Sequence, residues 1–183
     1  DVLEATIGYP QAHYRWGRLW FELRDWTRAA RRLEQAMLTP QGVSSPAPLL
    51  LARTYQKMGK ANNRDRVLRD YVERAPKRAQ ALRAVAALYS SIEEQEKEES
   101  SWATLLRENP KDKEAAFRLA DIAASRKEYP AEFGIISAWA SAHVAGARRA
   151  DAWVVAARRW MKVRRGGLAM RAIEQALKQG QTA

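Results

Sequence analysis

The sequence has no cysteine and only two histidines, His13 and His143, among its 183 residues. It can therefore form no disulfide, no cysteine-ligated metal site and no thiol nucleophile, and it has little to offer a histidine-based metal site. Long apolar runs are also missing. The longest, such as residues 84–89, are far shorter than the roughly 20 residues of a transmembrane helix, so we predict no membrane span.

Motifs for phosphate binding and hydrolysis are absent as well. The sequence has no P-loop, no G-x-S-x-G, no H-E-x-x-H and no G-x-G-x-x-G. The two histidines lie far apart in the chain, and no carboxylate is poised by a recognisable pattern. We therefore predict that the chain is not an enzyme and that it uses no cofactor and no metal.

The sequence does contain a 34-residue period. Tyr55 and Tyr89 are 34 residues apart, and Pro76 and Pro110 share that spacing. Between them, apolar residues recur three and four positions apart, as on one face of a helix, and no strand-like alternation persists. With 46% hydrophobic and 29% charged residues the chain should fold. The pattern predicts an all-α protein of repeated helix–turn–helix units.

A helix–turn–helix unit of this length resembles the tetratricopeptide repeat (TPR), whose pattern is W-x2-L-G-x2-Y, then A-x3-F, then P. One small residue per unit falls in register, at Gly17, Ala52, Ala86, Ala120 and Ala157. The resemblance implies a right-handed α-solenoid of antiparallel helix pairs, a TPR-like superhelix. It also implies that helices cross closely at the small residues and that each unit must stack on the next.

This register divides the chain into five units. We assign residues 1–9 to the end of a preceding helix, 10–43 to unit 1, 44–78 to unit 2, 79–112 to unit 3, 113–146 to the divergent unit 4, and 147–183 to unit 5 and a tail. The chain would then be a piece of a longer protein. Arg64 and Glu98 depart from the pattern, because a small residue is expected at both positions.

Local signals predict the ends of several helices. Ser91 and Glu94 form a candidate capping box, and Pro130 suits the first turn of a helix. Arg165 and the two glycines after it are expected in a turn. We interpret the seven tryptophans mainly as packing residues, above all Trp20, Trp153 and Trp160; a sugar-stacking platform is the alternative.

Charge is unevenly distributed along the chain, whose net charge is +11. Residues 45–78 carry nine bases and three acids, and residues 145–183 carry nine and two, whereas residues 79–112 carry four and seven. Helical spacing places Arg158, Lys162 and Arg165 on one side of a helix, with Arg159 elsewhere. These basic blocks are either solvated faces or surfaces for an acidic partner.

In TPR-like solenoids the first helices of successive units line a concave surface, where ligands usually lie. The resemblance therefore implies a mixed aromatic and basic groove that suits an acidic or extended segment of another protein. The lysine and asparagine clamp that some TPR domains use for a C-terminal carboxylate is absent. The candidate partner-binding residues are Tyr14, Arg18, Phe21, Arg53, Lys57, Arg83, Phe117, Arg118, Arg158 and Lys162.

The leading hypothesis is thus a non-catalytic scaffold within a larger protein. One alternative is non-specific binding of RNA or other anions, since the sequence shows no repeated base-reading pattern. Another is a periplasmic TPR region of an exopolysaccharide-export or secretion machine, where it would recruit a modifying enzyme or guide polymer. The periplasm is slightly favoured over the cytoplasm. We also expect that the isolated chain could self-associate.

Overall fold

The computed structural model describes residues 10–180, and in this part of the chain the only regular elements are α-helices. The all-α prediction is confirmed. The segment assigned to a preceding helix, residues 1–9, lies outside the described residues, as do residues 181–183. The described helices are α1 Pro10–Glu22, α2 Trp26–Ala36, α3 Pro40–Val43, α4 Ala47–Lys57, α5 Ala61–Arg74, α6 Arg78–Ser91, α7 Gln95–Glu108, α8 Lys113–Ser125, α9 Tyr129–Ser141, α10 Ala147–Lys162 and α11 Gly166–Gly180.

The chain divides into two compact units, a first unit that ends at Ile92 and a second unit that begins at Glu93. Helices α1–α6 belong to the first and α7–α11 to the second. The boundary falls inside the segment that the sequence assigns to the third repeat, between its two helices. The division into five repeats stays a prediction.

In the first unit, successive long helices pack against one another: α1 on α2, α2 on α4, α4 on α5 and α5 on α6. The apolar cluster between α2 and α4 is built from Leu33, Met37, Leu51 and Tyr55, with partly buried Tyr14 at its edge. The Tyr55 hydroxyl donates a hydrogen bond to Glu34 of α2. Burial and that bond both raise the pKa of the Tyr55 hydroxyl.

The short helix α3 lies between α2 and α4 and is not predicted by the repeat pattern. Its N-cap is Thr39, whose hydroxyl accepts a hydrogen bond from the Gly42 amide at 3.1 Å. A Cβ at Gly42 would lie 1.6 Å from the carbonyl oxygen of Ala36. Only glycine therefore allows α3 to fold back onto the end of α2.

The second unit repeats the same scheme, with α7 on α8, α8 on α9, α9 on α10 and α10 on α11. Its core is rich in alanine and contains the buried rings of Trp139, Trp153 and Trp160. Trp102, the remaining tryptophan of this unit, is buried as well. The packing interpretation is therefore confirmed for these four.

The tryptophans of α1 and α2 are different. Trp16, Trp20 and Trp26 are all partly exposed, so the expectation that Trp20 is a core residue is wrong. Guanidinium groups of α2 cover two of the rings, Arg32 at 5.2 Å from the Trp16 centroid and Arg28 at 4.6 Å from that of Trp20. These rings lie on a side of α1 that no described helix packs against closely enough to bury them.

The five small residues of the repeat register are all buried. Ala52, Ala86 and Ala120 have no exposed surface, and Ala157 is only 3% exposed. At Gly17, a Cβ would lie 2.5 Å from Cγ of Leu33 in α2. The close crossing that the resemblance implies is therefore present between α1 and α2, and even an alanine at this position would require Leu33 to shift.

A second periodic feature lies in the turns between paired helices. Five residues have φ near +60° to +70°, in the left-handed region: Arg24, Gly59, Glu93, Lys127 and Arg164. They follow the same 35-, 34-, 34- and 37-residue spacing as the small residues. Each ends a helix with the chain reversal that glycine usually provides, yet only one of them is a glycine.

Two local predictions need correction. Ser91 is the last residue of α6, and its hydroxyl donates to the Leu88 carbonyl, so it forms no capping box with Glu94. The turn after α10 is centred on Arg164, and the two glycines that follow Arg165 begin α11 instead. Pro130 does lie in the first turn of α9, as predicted.

Candidate functional site

A groove of about 480 Å³ runs between α8 and α10 in the second unit. Its floor is apolar, formed by the half-buried Phe117 and Val155, with the more exposed Val163 at one end. Its remaining lining residues are charged: Lys113, Asp121, Arg158, Arg159 and Lys162.

Three candidate residues meet in this groove. Phe117 from α8 faces Arg158 and Lys162 from α10, one helical turn apart. Lys113 lies over the Phe117 ring, 5.6 Å from its centroid. Arg118, the remaining candidate of this unit, is exposed on α8 but does not line the groove.

Arg159 of α10 forms hydrogen bonds to residues of both α8 and α9 beside the groove. One Nη donates to Asp121 of α8, and the other donates to Oε1 of Glu132 at 2.9 Å. Its guanidinium also lies 5.5 Å from the Phe117 centroid. The expectation that Arg159 lies apart from the basic cluster is therefore wrong. Its charge is engaged by two carboxylates, so its role here is to fix the shape of the groove.

Beneath the groove, Glu132 is a carboxylate with no exposed surface. Besides Arg159, its Oε1 accepts a hydrogen bond from the Trp160 indole at 3.2 Å. Arg165 Nη1 lies 2.9 Å from Oε2 as an ion pair, without an N–H aimed at that oxygen. Arg165 thus faces Glu132 and lies 4.0 Å from the Tyr129 ring centroid, rather than joining Arg158 and Lys162 in the groove lining.

Arg158 and Lys162 differ from these engaged residues. Both are exposed, and within residues 10–180 neither makes an ion pair or a side-chain hydrogen bond. Besides Lys113 over the Phe117 ring, the groove therefore presents the solvated cations of Arg158 and Lys162 beside an apolar floor. The acid that also lines it, Asp121, is already paired with Arg159.

The other six candidates belong to the first unit, and none of them lines the α8–α10 groove. Arg18 is tied to Glu22 at 2.9 Å, and this hydrogen bond and charge raise the pKa of Arg18. Phe21 packs edge-on against Trp26, with 5.1 Å between ring centroids. Arg53 and Lys57 are exposed on α4, whereas Tyr14 and Arg83 are half-buried.

His13 lies in the first unit and His143 in the second. His13 is 5% exposed, and its burial, followed by the nearby charge of Arg32, lowers its pKa. His143 lies with Nδ1 3.0 Å from the Trp139 carbonyl oxygen. Among the described residues, no group of three or more His, Asp or Glu side chains could hold a metal ion.

Repeat register could have identified the residues that sequence reasoning missed. Glu132 lies 34 residues after Glu98 and therefore shares the position at which Arg64 and Glu98 depart from the pattern. Arg159 falls at the position of Leu88 and Ile122, which are both buried. A charge at an interior position of α10, opposite an acid of α9, is the signal of an ion pair between helices.

No protein-family model matches this chain, and no curated protein matches it. Among solved structures, the chain is similar to MamA, with 17% identity, a TM-score of 0.46 and coverage of 91% of this chain and 95% of that one. It is also similar to a tetratricopeptide repeat protein from Parabacteroides merdae, with 16% identity, a TM-score of 0.48 and coverage of 93% and 79%. A third similar structure, of a putative kinesin light chain from Podosopora anserina, contains TPR-like repeats that are nearly identical to one another. It has 14% identity to this chain and a TM-score of 0.47, with coverage of 97% of each chain.

No helix among residues 10–180 combines the length and the apolar character that crossing a membrane requires. Among the described residues, neighbouring helices pack within each unit, and the second unit carries a basic, partly apolar groove. Their TPR character stays a resemblance.

Proposed function

We propose that this chain is a non-catalytic protein-interaction scaffold that recruits another protein through basic and aromatic surfaces. These surfaces lie on its first-type helices, which are the first helices of the predicted repeats: α1, α4, α6, α8 and α10. The observation that carries the proposal is the α8–α10 groove, in which Arg158 and Lys162 stand unpaired beside Phe117. Unpaired cations next to an apolar floor are suited to a ligand that brings both a carboxylate and an apolar side chain.

The chemistry of the groove favours an extended acidic segment as the partner. Phe117, Val155 and Val163 would take an apolar side chain. Arg158 and Lys162 would take carboxylates that flank it. The groove itself is held open by the bonds of Arg159 to Asp121 and Glu132, so binding needs little rearrangement of its walls.

A scaffold also accounts for the buried carboxylate better than an enzyme does. Glu132 has no exposed surface and is surrounded by Arg159, Arg165 and Trp160. A general acid or base must reach a substrate, and this carboxylate reaches only its own core. We therefore assign it a structural role and propose no catalytic residue.

Fluorescence anisotropy tests this assignment with a labelled peptide of alternating glutamate and leucine. The double variant Arg158→Glu, Lys162→Glu should bind at least about tenfold more weakly than the wild type, a change of about 1.4 kcal/mol. The matched control is Arg148→Glu, Arg171→Glu, which makes the same charge change at exposed positions outside the groove. Equal weakening by both double variants would show that net charge alone attracts the peptide.

A single-stranded RNA probe of equal charge distinguishes the nucleic-acid alternative. If the RNA binds more tightly than the peptide and loses affinity steeply with salt, the scaffold proposal fails in favour of anion binding. The envelope and exopolysaccharide alternatives remain hypotheses of the sequence, because no feature of the described residues distinguishes them.

A further inference from the structure

The last helix, α11, carries three exposed apolar side chains along one side. Met170 is 59% exposed, Ile173 38% and Leu177 61%. They are the fifth, eighth and twelfth residues of α11, a spacing that aligns them on one face of a helix.

The second helices of the predicted repeats, α2, α5, α7, α9 and α11, are called second-type helices here. The same three positions are interface positions in the others of this type. In α9 they are Phe133, Ile136 and Ala140, which belong to or pack against the cluster shared with α10. Phe133 stacks on Trp160 of α10, with ring centroids 5.5 Å apart. In α5, likewise, Leu68 and Val72 are at most 9% exposed. The apolar face of α11 therefore occupies the positions at which α9 packs against the next first-type helix, α10.

The first described helix, α1, carries a complementary face that no other helix among residues 10–180 buries. Leu19 is 50% exposed, whereas Thr54, Leu88 and Ile122, at the same repeat position, are at most 7% exposed. Leu23 is 62% exposed, although its equivalent on α4, Met58, packs against the α2–α4 cluster.

The tryptophans of α1 are also more exposed than the residues at the same repeat positions of α4. Trp16 shares its repeat position with Leu51, and Trp20 shares its position with Tyr55. Both α4 residues are buried against α2, at 1% and 4% exposure, whereas the two tryptophans are partly exposed. Leu19 and Leu23 together with these rings form the α1 face; Met170, Ile173 and Leu177 form the α11 face.

We infer that the α11 face of one copy of this chain binds the α1 face of a second copy, head to tail. The contact continues the interface that α9 makes with α10 and α2 makes with α4, because each face occupies the corresponding repeat positions. Two different faces make a heterologous contact, so both partners keep one open face and further copies can add. The inference is independent of the groove and of the proposed ligand.

Sedimentation equilibrium tests the inference by two matched variants, Leu23→Glu on the α1 face and Leu177→Glu on the α11 face. The side chains are 62% and 61% exposed, so neither change disturbs the core. The wild type should associate reversibly as its concentration rises, also in high salt, and each variant alone should associate at least about tenfold more weakly. Leu38→Glu, at a 72% exposed position outside both faces, is the control and should behave as the wild type.

Mixing the two variants gives the decisive result. Each retains the face that the other has lost, so the mixture should form a one-to-one dimer that grows no further. A wild type that stays monomeric up to millimolar concentration would overturn the inference and leave these faces to a different helix. Association that Leu38→Glu weakens equally, or a mixture without dimer, would overturn the head-to-tail assignment.

Discussion

The two compact units place charges of opposite sign at the same position of their repeats. The fourth residue of α5 is Arg64, and the fourth residue of α9 is Glu132. Both are at most 1% exposed. The same position holds the small, buried Ala29 in α2 and Ala169 in α11. The repeat therefore accepts either a small residue or a charge there, and the neighbouring helices decide which charge is tolerated.

The partners explain the difference in sign. Arg64 Nε lies 2.7 Å from Asp65 of its own helix, and its Nη1 donates to Gln56 of α4. Its guanidinium also lies 5.5 Å from the Tyr89 centroid, and the Tyr89 hydroxyl donates to Asp65 at 3.1 Å. These contacts join α5 to the helices on either side of it.

Glu132 instead depends on cations from the following helix pair, Arg159 of α10 and Arg165 just before α11. The Trp160 indole occupies the repeat position of Tyr89 and completes the site. A buried charge is tolerated only when it is paired and hydrogen-bonded. Asp65, the acid beside Arg64, is 24% exposed, whereas Arg159 is only 9% exposed. The Arg159–Glu132 pair is therefore the drier one, whereas the second cation at Glu132, Arg165, is 25% exposed, about as much as Asp65.

Of the substitutions that test this comparison, removal of Glu132 should lower the free energy of unfolding most. Glu132→Ala leaves the buried guanidinium of Arg159 and the Trp160 indole without their shared acceptor, which should cost about 3 to 5 kcal/mol. The lower end is expected, because Arg159 keeps its bond to Asp121. Urea unfolding measures the change. Glu128→Ala, an exposed acid one turn earlier, is the control and should change stability by less than about 0.5 kcal/mol.

Removing Arg64 should have a smaller effect. Arg64→Ala creates a cavity and leaves Gln56 without this donor, but Asp65 can be solvated, so we expect a loss of about 2 kcal/mol by urea unfolding. Arg64→Met, which fills the same space without charge, should recover most of that loss. A loss for Arg64→Ala as large as that for Glu132→Ala would contradict the idea that exposure of the partner sets the cost.

Substitutions of the left-handed turn residues should change the free energy of unfolding least. The same turn position can be tested in both units. Gly59 in the first unit and Lys127 in the second have φ of +69° and +61°. Lys127→Gly should stabilise the protein by about 0.5 to 1 kcal/mol, because a side chain is strained in this region. Gly59→Ala should destabilise it by a similar amount, about 1 kcal/mol, although a Cβ there meets no atom within 4 Å. Thermal unfolding at matched pH measures both shifts, and changes of the same sign would contradict the strain argument.

Much of the fold could be predicted from the sequence because repeats state the same requirement several times. The small residues Gly17, Ala52, Ala86, Ala120 and Ala157 are all buried, as their register predicts. One small residue carries little information, but a glycine and four alanines at the repeat spacing require a common structural cause. Helix α3 escaped prediction because it occurs once and depends on a single glycine, Gly42.

The turns show the opposite limit of sequence reasoning. Four of the five left-handed residues are Arg, Glu or Lys, which give no turn signal of their own. Their conformation is imposed by the helices that they join, which pack against each other and leave the connecting residue one way to reverse the chain. The sequence pattern therefore misplaced the turn before α11 at the glycines, beyond Arg164.

For the candidate groove, the sequence identified Phe117, Arg158 and Lys162 but not the residues that shape it. Whether a given arginine is free to bind or engaged in the core depends on which acid faces it, and that acid comes from another helix. Arg158 and Arg159 are neighbours in the chain, yet one is solvated and the other is held by Asp121 and Glu132.

The sequence by itself determined the helices, their repeat spacing and the positions at which they cross, because these follow from local periodicity and residue size. Only the tertiary structure decided which charges are buried, which tryptophans are left partly exposed, and which apolar faces remain open. Those properties depend on what lies across an interface, and contacts between residues distant in the chain leave no local pattern.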